Sequence, residues 1–151
     1  MSSGDPPVAA GGGRHTEERD RMRDDQARVL VLDDFSAIVE ELLTLMSLHG
    51  IPGVGAANLT EAVDMLERHP AVSVVACDLR LDRESGLDIV SRVRKHPKLG
   101  AREFEYVFIT GDQMREDLVA GTSHYTFLTK PVQPQALIGT IRKMLANGVG
   151  A

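Results

Sequence analysis

The sequence has little of three features that each mark a large class of proteins. It holds a single cysteine, Cys77, among 151 residues, which excludes a disulfide within the chain. No apolar run approaches the roughly 20 residues that a membrane-spanning helix needs, and the N-terminal segment lacks the apolar core of a secretory signal. Basic residues number 17 against 22 acidic ones, so the net charge is −5. We therefore expect a cytoplasmic protein that binds neither nucleic acid nor a membrane.

The composition divides the chain into an arm and one domain. Residues 1–26 are rich in glycine, proline and serine and then in charges of both signs, with too few large apolar side chains to offset the entropy of ordering. We predict a disordered arm there, in which a short solvated helix from Thr16 is the most structure expected. The remainder is typical of a globular protein, and we predict one domain over 27–147 and a tail over 148–151.

Within the domain, short apolar runs alternate with segments of helical periodicity. The predicted strands cover 28–32, 53–57, 72–77, 106–110 and 125–129. The predicted helices follow these strands, the fourth of them poorly defined around 114–120 and the last from Pro134 to a stop at Asn147-Gly148. Five strands that alternate with helices predict an α/β fold with a parallel sheet and right-handed crossovers.

Two of the helices carry recognisable start signals. Asn58 is predicted to cap the second helix, with Glu61 at the third helical position. Ser85 together with Asp88 is predicted to cap the third helix in the same way.

Polar side chains follow the predicted strands at the point where each strand ends. Asp33 and Asp34 follow the first strand, Asp78 follows the third, Thr110 ends the fourth, and Lys130 follows the fifth. Taken singly, each residue has an ordinary structural role as a helix cap, a turn residue, a strand former or a solvated loop residue. Because the carboxyl ends of parallel strands meet at one edge, which is where such sheets bind ligands, we expect these side chains to converge.

This set of residue types indicates a particular chemistry. Clustered carboxylates repel one another unless a cation neutralises them, and oxygen ligands without histidine or cysteine select Mg²⁺. A carboxylate beside such a metal can attack phosphorus to form an acyl phosphate. A lysine would supply positive charge to the phosphoryl oxygens, and a threonine hydroxyl would donate a hydrogen bond.

Four stretches of the chain carry a family resemblance over about 120 residues, from Arg28 to Asn147. They are "VLVLDDFSAIVEELL", "VVACDLRLDRESGLDIVSRVR", "VFITGD" and "FLTKPV". In this order and at this spacing they resemble the receiver domains of two-component response regulators. The resemblance implies a doubly wound (βα)5 fold with a five-stranded parallel sheet in the flavodoxin-like order 2-1-3-4-5.

The resemblance also implies roles for the residues at the phosphorylation site. Asp78 matches the phosphoacceptor, and Asp33 and Asp34 match the acidic pair that binds Mg²⁺. Arg80 stands where a backbone carbonyl completes the metal site in the family. Asp78 is itself expected among the metal ligands.

Further positions match the parts of the family that sense the phosphoryl group. Thr110 matches the switch hydroxyl, Lys130 the phosphate-contacting lysine and Phe127 the aromatic switch residue. The Lys130-Pro131 bond is expected to be cis, as it often is in that family.

Two charged residues occupy positions that influence dephosphorylation in the family. Arg80 lies two residues past the phosphoacceptor, and Asp112 lies two residues past the switch threonine. Opposite charges at these positions predict a pair across the mouth of the site that slows hydrolysis, with two independent solvated side chains as the alternative.

The loop "LDRESG" departs from the family because it lacks the proline that many members have there.

The resemblance implies partners rather than a metabolic substrate. The phosphoryl donor is expected to be a sensor histidine kinase or a phosphotransfer protein. A downstream protein is expected to read the face formed by the fourth helix, fifth strand and fifth helix, and the resemblance allows homodimerisation on phosphorylation. We expect no output domain in this chain and no enzymatic activity beyond its own phosphoryl transfer and autodephosphorylation.

Two other functions stay open from the sequence. A phosphatase-like hydrolase with an aspartate nucleophile after the first strand would require Asp-x-Asp, whereas "LDDFS" gives Asp-Asp-Phe. A receiver that acts as an unphosphorylated scaffold would require neither metal nor phosphate.

Overall fold

The structure is a computed structural model that describes residues 26–111 and 125–150, with side chains to residue 146 in the second segment. The predicted N-terminal arm, apart from Gln26, the predicted fourth helix and Asp112 lie outside the described residues.

Five strands form one parallel sheet. Their bounds are β1 Val29–Leu32, β2 Gly53–Ala56, β3 Val74–Asp78, β4 Glu105–Thr110 and β5 Tyr125–Thr129. Their order across the sheet is β2-β1-β3-β4-β5, and every neighbouring pair is parallel. All five predicted strands are confirmed, with ends that differ from the predicted ones by at most two residues, and the predicted strand order is confirmed as well.

Helices cover both faces of this sheet. They are α1 Ser36–Leu48, α2 Leu59–Arg68, α3 Asp88–Lys95 and a C-terminal helix Pro134–Gly150, with a short 3-10 turn at Leu99–Ala101. Buried residues of α1 and the C-terminal helix pack on one face, and those of α2 and α3 pack on the other. This division makes the sheet doubly wound, as the resemblance implied.

The central strands are buried from both sides. Every residue of β1 and β3 is buried, and alternate residues contribute to the two apolar layers. Continuous apolar sequences such as "VLVL" are typical of parallel strands that are covered on both faces.

Among the described residues, no helix combines the length and the apolar character needed to cross a membrane.

The helix ends test the predicted start and stop signals. The Asn58 side chain accepts a hydrogen bond of 2.8 Å from the Glu61 N–H, which confirms that cap. The prediction for α3 was wrong in detail, because the Ser85 hydroxyl accepts from the N–H of Leu87 and no side chain caps the helix itself. The predicted stop at Asn147-Gly148 was also wrong, since the C-terminal helix continues to Gly150.

Candidate phosphorylation site at the carboxyl edge of the sheet

The register between the two central strands brings Asp33 and Asp78 together. Leu32 of β1 lies opposite Cys77 of β3, so the next residue of each chain segment lies at the same level of the sheet. Because side chains alternate between faces, these two aspartates also share one face. The site therefore forms where the strand order reverses, between β1 and β3, which is the binding position in sheets of this order.

Three carboxylates meet at this position. Oxygens of Asp33, Asp34 and Asp78 lie within 4.8 Å of one another. Asp33 and Asp78 are only 5% and 7% exposed, whereas Asp34 is the most exposed of the three. The sequence prediction that these side chains converge is thus met by the geometry.

Burial raises the pKa of the Asp33 carboxyl above its ordinary value of 3.8. The neighbouring charges of Asp78 and Asp34 raise this pKa further, while the N–H of Phe35, which donates a 2.9 Å hydrogen bond to Oδ1, lowers it. Desolvation is the largest cause, so the ionised form of this side chain is destabilised in the absence of a cation.

Two donors hold the Asp78 carboxylate in place. The backbone N–H of Arg80 donates to Oδ1 at 3.0 Å, and the Lys130 ammonium lies 3.2 Å from Oδ2. Lys130 directly follows β5, and its backbone N–H donates to the Thr110 carbonyl at 2.7 Å. The Lys130-Pro131 bond is cis, as expected.

Thr110 and Phe127 lie on one face of the neighbouring strands. Thr110 ends β4 and is 6% exposed. In the next strand, the ring of Phe127 stacks on that of Phe108, with 5.5 Å between the centroids. Phe127 is half-buried, so its ring is neither fully packed in the core nor free on the surface.

The Arg80 side chain is exposed, while its backbone lies directly beside Asp78 through the N–H bond described above. The predicted role of its carbonyl as a metal ligand stays a prediction. The predicted pair between Arg80 and Asp112 lies partly outside the described residues.

Gly86, which no sequence prediction singled out, is needed by the loop after β3. A Cβ at Gly86 would collide with the backbone carbonyl oxygen of Asp78 and would lie 2.7 Å from the Cys77 sulfur. The Gly86 N–H also donates to the Leu79 carbonyl at 2.7 Å. Glycine is therefore required for the loop to fold back against β3, and the position of this glycine in "ESGLD" was the signal available in the sequence. Cys77 itself is a buried core thiol, and burial raises its pKa.

Two of the three carboxylates, those of Asp34 and Asp78, line an open cleft of about 680 Å³. Its walls include the charged residues Asp34, Asp78 and Lys130, together with Phe35 and Ile38 at the beginning of α1 and just before it. The Asp78 carboxylate is thus reached from solvent through this cleft. Its donor set also fits Mg²⁺, because it consists of hard oxygen ligands without histidine or cysteine.

Comparison with known proteins identifies the family. The family model for the response regulator receiver domain matches residues 29–142. The chain belongs to this family. Receiver domains are signalling modules of two-component systems that take a phosphoacceptor role, bind Mg²⁺ at an acidic pocket and interact with histidine kinases or phosphotransfer proteins.

Individual relatives agree with this assignment. The two-component response regulator PprB of Pseudomonas aeruginosa is 27% identical over 120 residues, which are 77% of this chain and 42% of PprB. The hydrogenase transcriptional regulatory protein HoxA of Cupriavidus necator is 34% identical over 126 residues, 81% of this chain and 25% of HoxA. The receiver domain thus spans less than half the length of these curated relatives.

A solved structure agrees as well. A response regulator receiver protein from Pseudomonas putida is 30% identical and superimposes with a TM-score of 0.66. The match covers 78% of this chain and 97% of the other. The similarity therefore extends over a whole receiver fold.

Proposed function

We propose that this receiver domain accepts a phosphoryl group on Asp78 from a phosphohistidine of a sensor kinase or phosphotransfer protein. The observation that carries the proposal is the surroundings of Asp78: two further carboxylates within 4.8 Å, and an ammonium 3.2 Å from its own carboxylate. No purely structural role requires three acids and a lysine to meet at the end of a buried strand.

In the transfer step, an oxygen of the Asp78 carboxylate attacks the phosphorus of the donor. A new O–P bond forms as the N–P bond to the imidazole breaks, and the imidazole nitrogen takes up a proton. Hydrolysis later returns the carboxylate and releases inorganic phosphate when water attacks the same phosphorus. The N–H of Arg80 keeps the carboxylate oriented toward the cleft before transfer.

Asp33, Asp34 and Asp78 would hold Mg²⁺, together with the backbone carbonyl of Arg80. When bound, the ion would neutralise the carboxylates and the charge that develops on the phosphoryl oxygens. Lys130 would then exchange its contact with Asp78 for one with the phosphoryl group, and the Thr110 hydroxyl would donate to the same group.

We further propose that phosphorylation is read through Thr110 and Phe127. Movement of Thr110 toward the phosphoryl group opens space on the face that it shares with Phe127, and the half-buried ring can move into it. A downstream protein that binds only one of the two arrangements would shift the population between them. The same face would support a phosphorylation-dependent homodimer.

The test is intact-mass analysis after incubation with a small acyl phosphate or a phosphorylated histidine donor. We expect one phosphoryl group on the wild type with Mg²⁺, and none after chelation or on Asp78→Asn. Equal labelling of both proteins would overturn the assignment. Continuous release of phosphate from a small ester would instead support the hydrolase, and no labelling with any donor would support the scaffold.

The lifetime of the phosphorylated state tests the proposed pair of Arg80 and Asp112. If the two charges shield the site together, Arg80→Ala and Asp112→Ala each speed the loss of phosphate, and the double variant is no faster than either. Additive effects, or no effect, would show that the two side chains act independently.

A further inference from the structure

Three polar contacts connect the loop after β3 with two helices. The Glu84 carboxylate accepts from the backbone N–H of Leu59 at 3.3 Å through Oε1 and from the Arg92 guanidinium at 3.3 Å through Oε2. The same guanidinium donates to the Thr60 hydroxyl at 3.3 Å. Leu59 and Thr60 begin α2 and Arg92 lies in α3, so the contacts close a ring, which we call the Glu84 ring, across three segments.

The Leu59 N–H is one of the donors that the first turn of a helix leaves without an intrahelical partner. Asn58 satisfies a different one, at Glu61, so the loop carboxylate complements the cap from 25 residues away. A negative charge at this end of α2 is also favoured by the helix dipole. These contacts give Glu84 a defined position relative to α2.

The same loop carries the donor that orients the phosphoacceptor. The Leu81 N–H donates to the Glu84 carbonyl at 3.0 Å, and Arg80 forms an antiparallel bridge with Ser85. The loop is therefore a short hairpin, in which the position of Glu84 determines where Arg80 lies. Arg80 in turn donates its N–H to Oδ1 of Asp78.

We propose that Glu84 is a positioning residue for phosphoryl transfer, which fixes the backbone of Arg80 against Asp78 by anchoring the hairpin to α2 and α3. This inference rests on the proposed function of Asp78. The loop "LDRESG" lacks the proline that many family members have there. The side-chain contacts of Glu84 restrain this loop in place of the rigid proline ring.

A positioning role of Glu84 can be distinguished experimentally from a role in global stability alone. The side chains of Glu84 and Arg92 are 30% and 44% exposed, and ion pairs with this exposure add little to global stability. Displacement of a reacting group, by contrast, strongly affects rate even when it is caused from outside the reacting atoms. Glu84 variants should thus change transfer far more than they change unfolding.

The experiment compares Glu84→Ala, Glu84→Gln and the double variant Glu84→Ala with Arg92→Ala against Glu103→Gln in the full chain. Glu103 is exposed and precedes β4, at the opposite edge of the sheet. Glu103→Gln therefore removes one negative charge, as the Glu84 variants do, without touching the loop after β3. Two quantities are measured: hydrogen exchange of the Arg80 amide without Mg²⁺, and the rate of labelling by a small acyl phosphate at saturating Mg²⁺, separated into maximal rate and half-saturating donor concentration.

For Glu84→Ala we expect faster exchange at Arg80 with unchanged exchange at Val75 in the core. The maximal labelling rate should fall about 10-fold, with the half-saturating concentration unchanged. Glu84→Gln keeps an acceptor for the Leu59 N–H but loses the charge pair, so it should fall between Glu84→Ala and wild type. Arg92→Ala added to Glu84→Ala should have no further effect, because the Glu84 ring is already open.

Two results would overturn the proposal. One is that Glu84→Ala matches Glu103→Gln in both exchange at Arg80 and labelling rate. The other is that exchange rises equally at Arg80 and Val75, which would indicate a general loss of stability. A wild type that takes up no phosphoryl group would refute the proposed function, while exchange at Arg80 would still decide whether Glu84 positions the loop.

Discussion

The two apolar layers of the sheet and its carboxyl edge use the same strands in opposite ways. In β3, the residues Val74 to Cys77 are at most 3% exposed and pack against helices on both faces. The next residue, Asp78, is almost as deeply buried and carries a carboxyl group. Removal of apolar surface from water stabilises the fold in the layers, whereas burial of a charged group at the edge destabilises it. The edge thus gives up stability for the proposed chemistry, which the layers make possible by holding the strands in register.

The largest expected effect lies in the apolar layers. Phe108 is fully buried and its ring stacks with those of Tyr106 and Phe127, so Phe108→Ala should lower the free energy of unfolding by about 3–5 kcal/mol. Phe35→Ala is the matched control, since that ring is 65% exposed and its loss should change stability by at most about 0.5 kcal/mol. Urea unfolding measures both, and equal losses would contradict the assignment of stability to the layers.

A smaller effect is expected where the layers meet the edge. Gly86→Ala forces a methyl group against the Asp78 carbonyl and the Cys77 sulfur and should cost about 1–3 kcal/mol. Gly139→Ala places the same methyl group on the C-terminal helix, with no atom of another element within 4 Å, and should stabilise by about 0.5–1 kcal/mol. Changes of the same sign in the two variants would show that close packing at Gly86 is not the cause.

At the edge itself, removal of a charge should stabilise the protein. Asp33→Asn without Mg²⁺ should raise the free energy of unfolding at pH 7, because burial has raised the pKa of this carboxyl. In the wild type, protonated Asp33 contributes to the stability of the folded state below pH 3.8, the ordinary pKa of an aspartate. This contribution is lost as the pH rises through the raised pKa that Asp33 has in the folded state. The difference between variant and wild type should therefore widen as the pH increases above 3.8.

Asp34→Asn provides the comparison within the cluster. Asp34 is more exposed than Asp33, so its replacement should stabilise the metal-free protein less while still weakening Mg²⁺ binding. Urea unfolding between pH 4 and pH 8 covers both variants. A larger gain for Asp34→Asn than for Asp33→Asn would contradict burial as the main cause.

The fold and most of the edge could be predicted from the sequence for one reason. Apolar runs such as "VLVL" locate parallel strands, and the residue after each run must lie at the carboxyl edge, so Asp33, Asp78 and Lys130 follow from one-dimensional spacing. The resemblance then gave these positions roles that spacing alone does not.

What could not be predicted depends on side chains that meet only after folding. The Glu84 ring joins residues 59 and 84, and nothing in "RES" indicates which helix the carboxylate contacts. The misplaced cap at Ser85 has a local origin instead, because its hydroxyl accepts from the N–H of Leu87, two residues along the chain, rather than from α3. The end of the C-terminal helix was missed because asparagine and glycine stop a helix by a weak local preference.

The most direct test of the account is the effect of Mg²⁺ on the stability of the wild type and of Asp33→Asn. If the buried carboxylates form a cation site, Mg²⁺ at 100 times its dissociation constant should stabilise the wild type by about 2.7 kcal/mol. The same concentration should stabilise Asp33→Asn much less, so the order of stability of the two proteins should approach inversion as Mg²⁺ is added. A wild type that gains nothing from Mg²⁺, or a variant that gains equally, would contradict the claim that this edge is destabilised in order to bind a cation and accept a phosphoryl group.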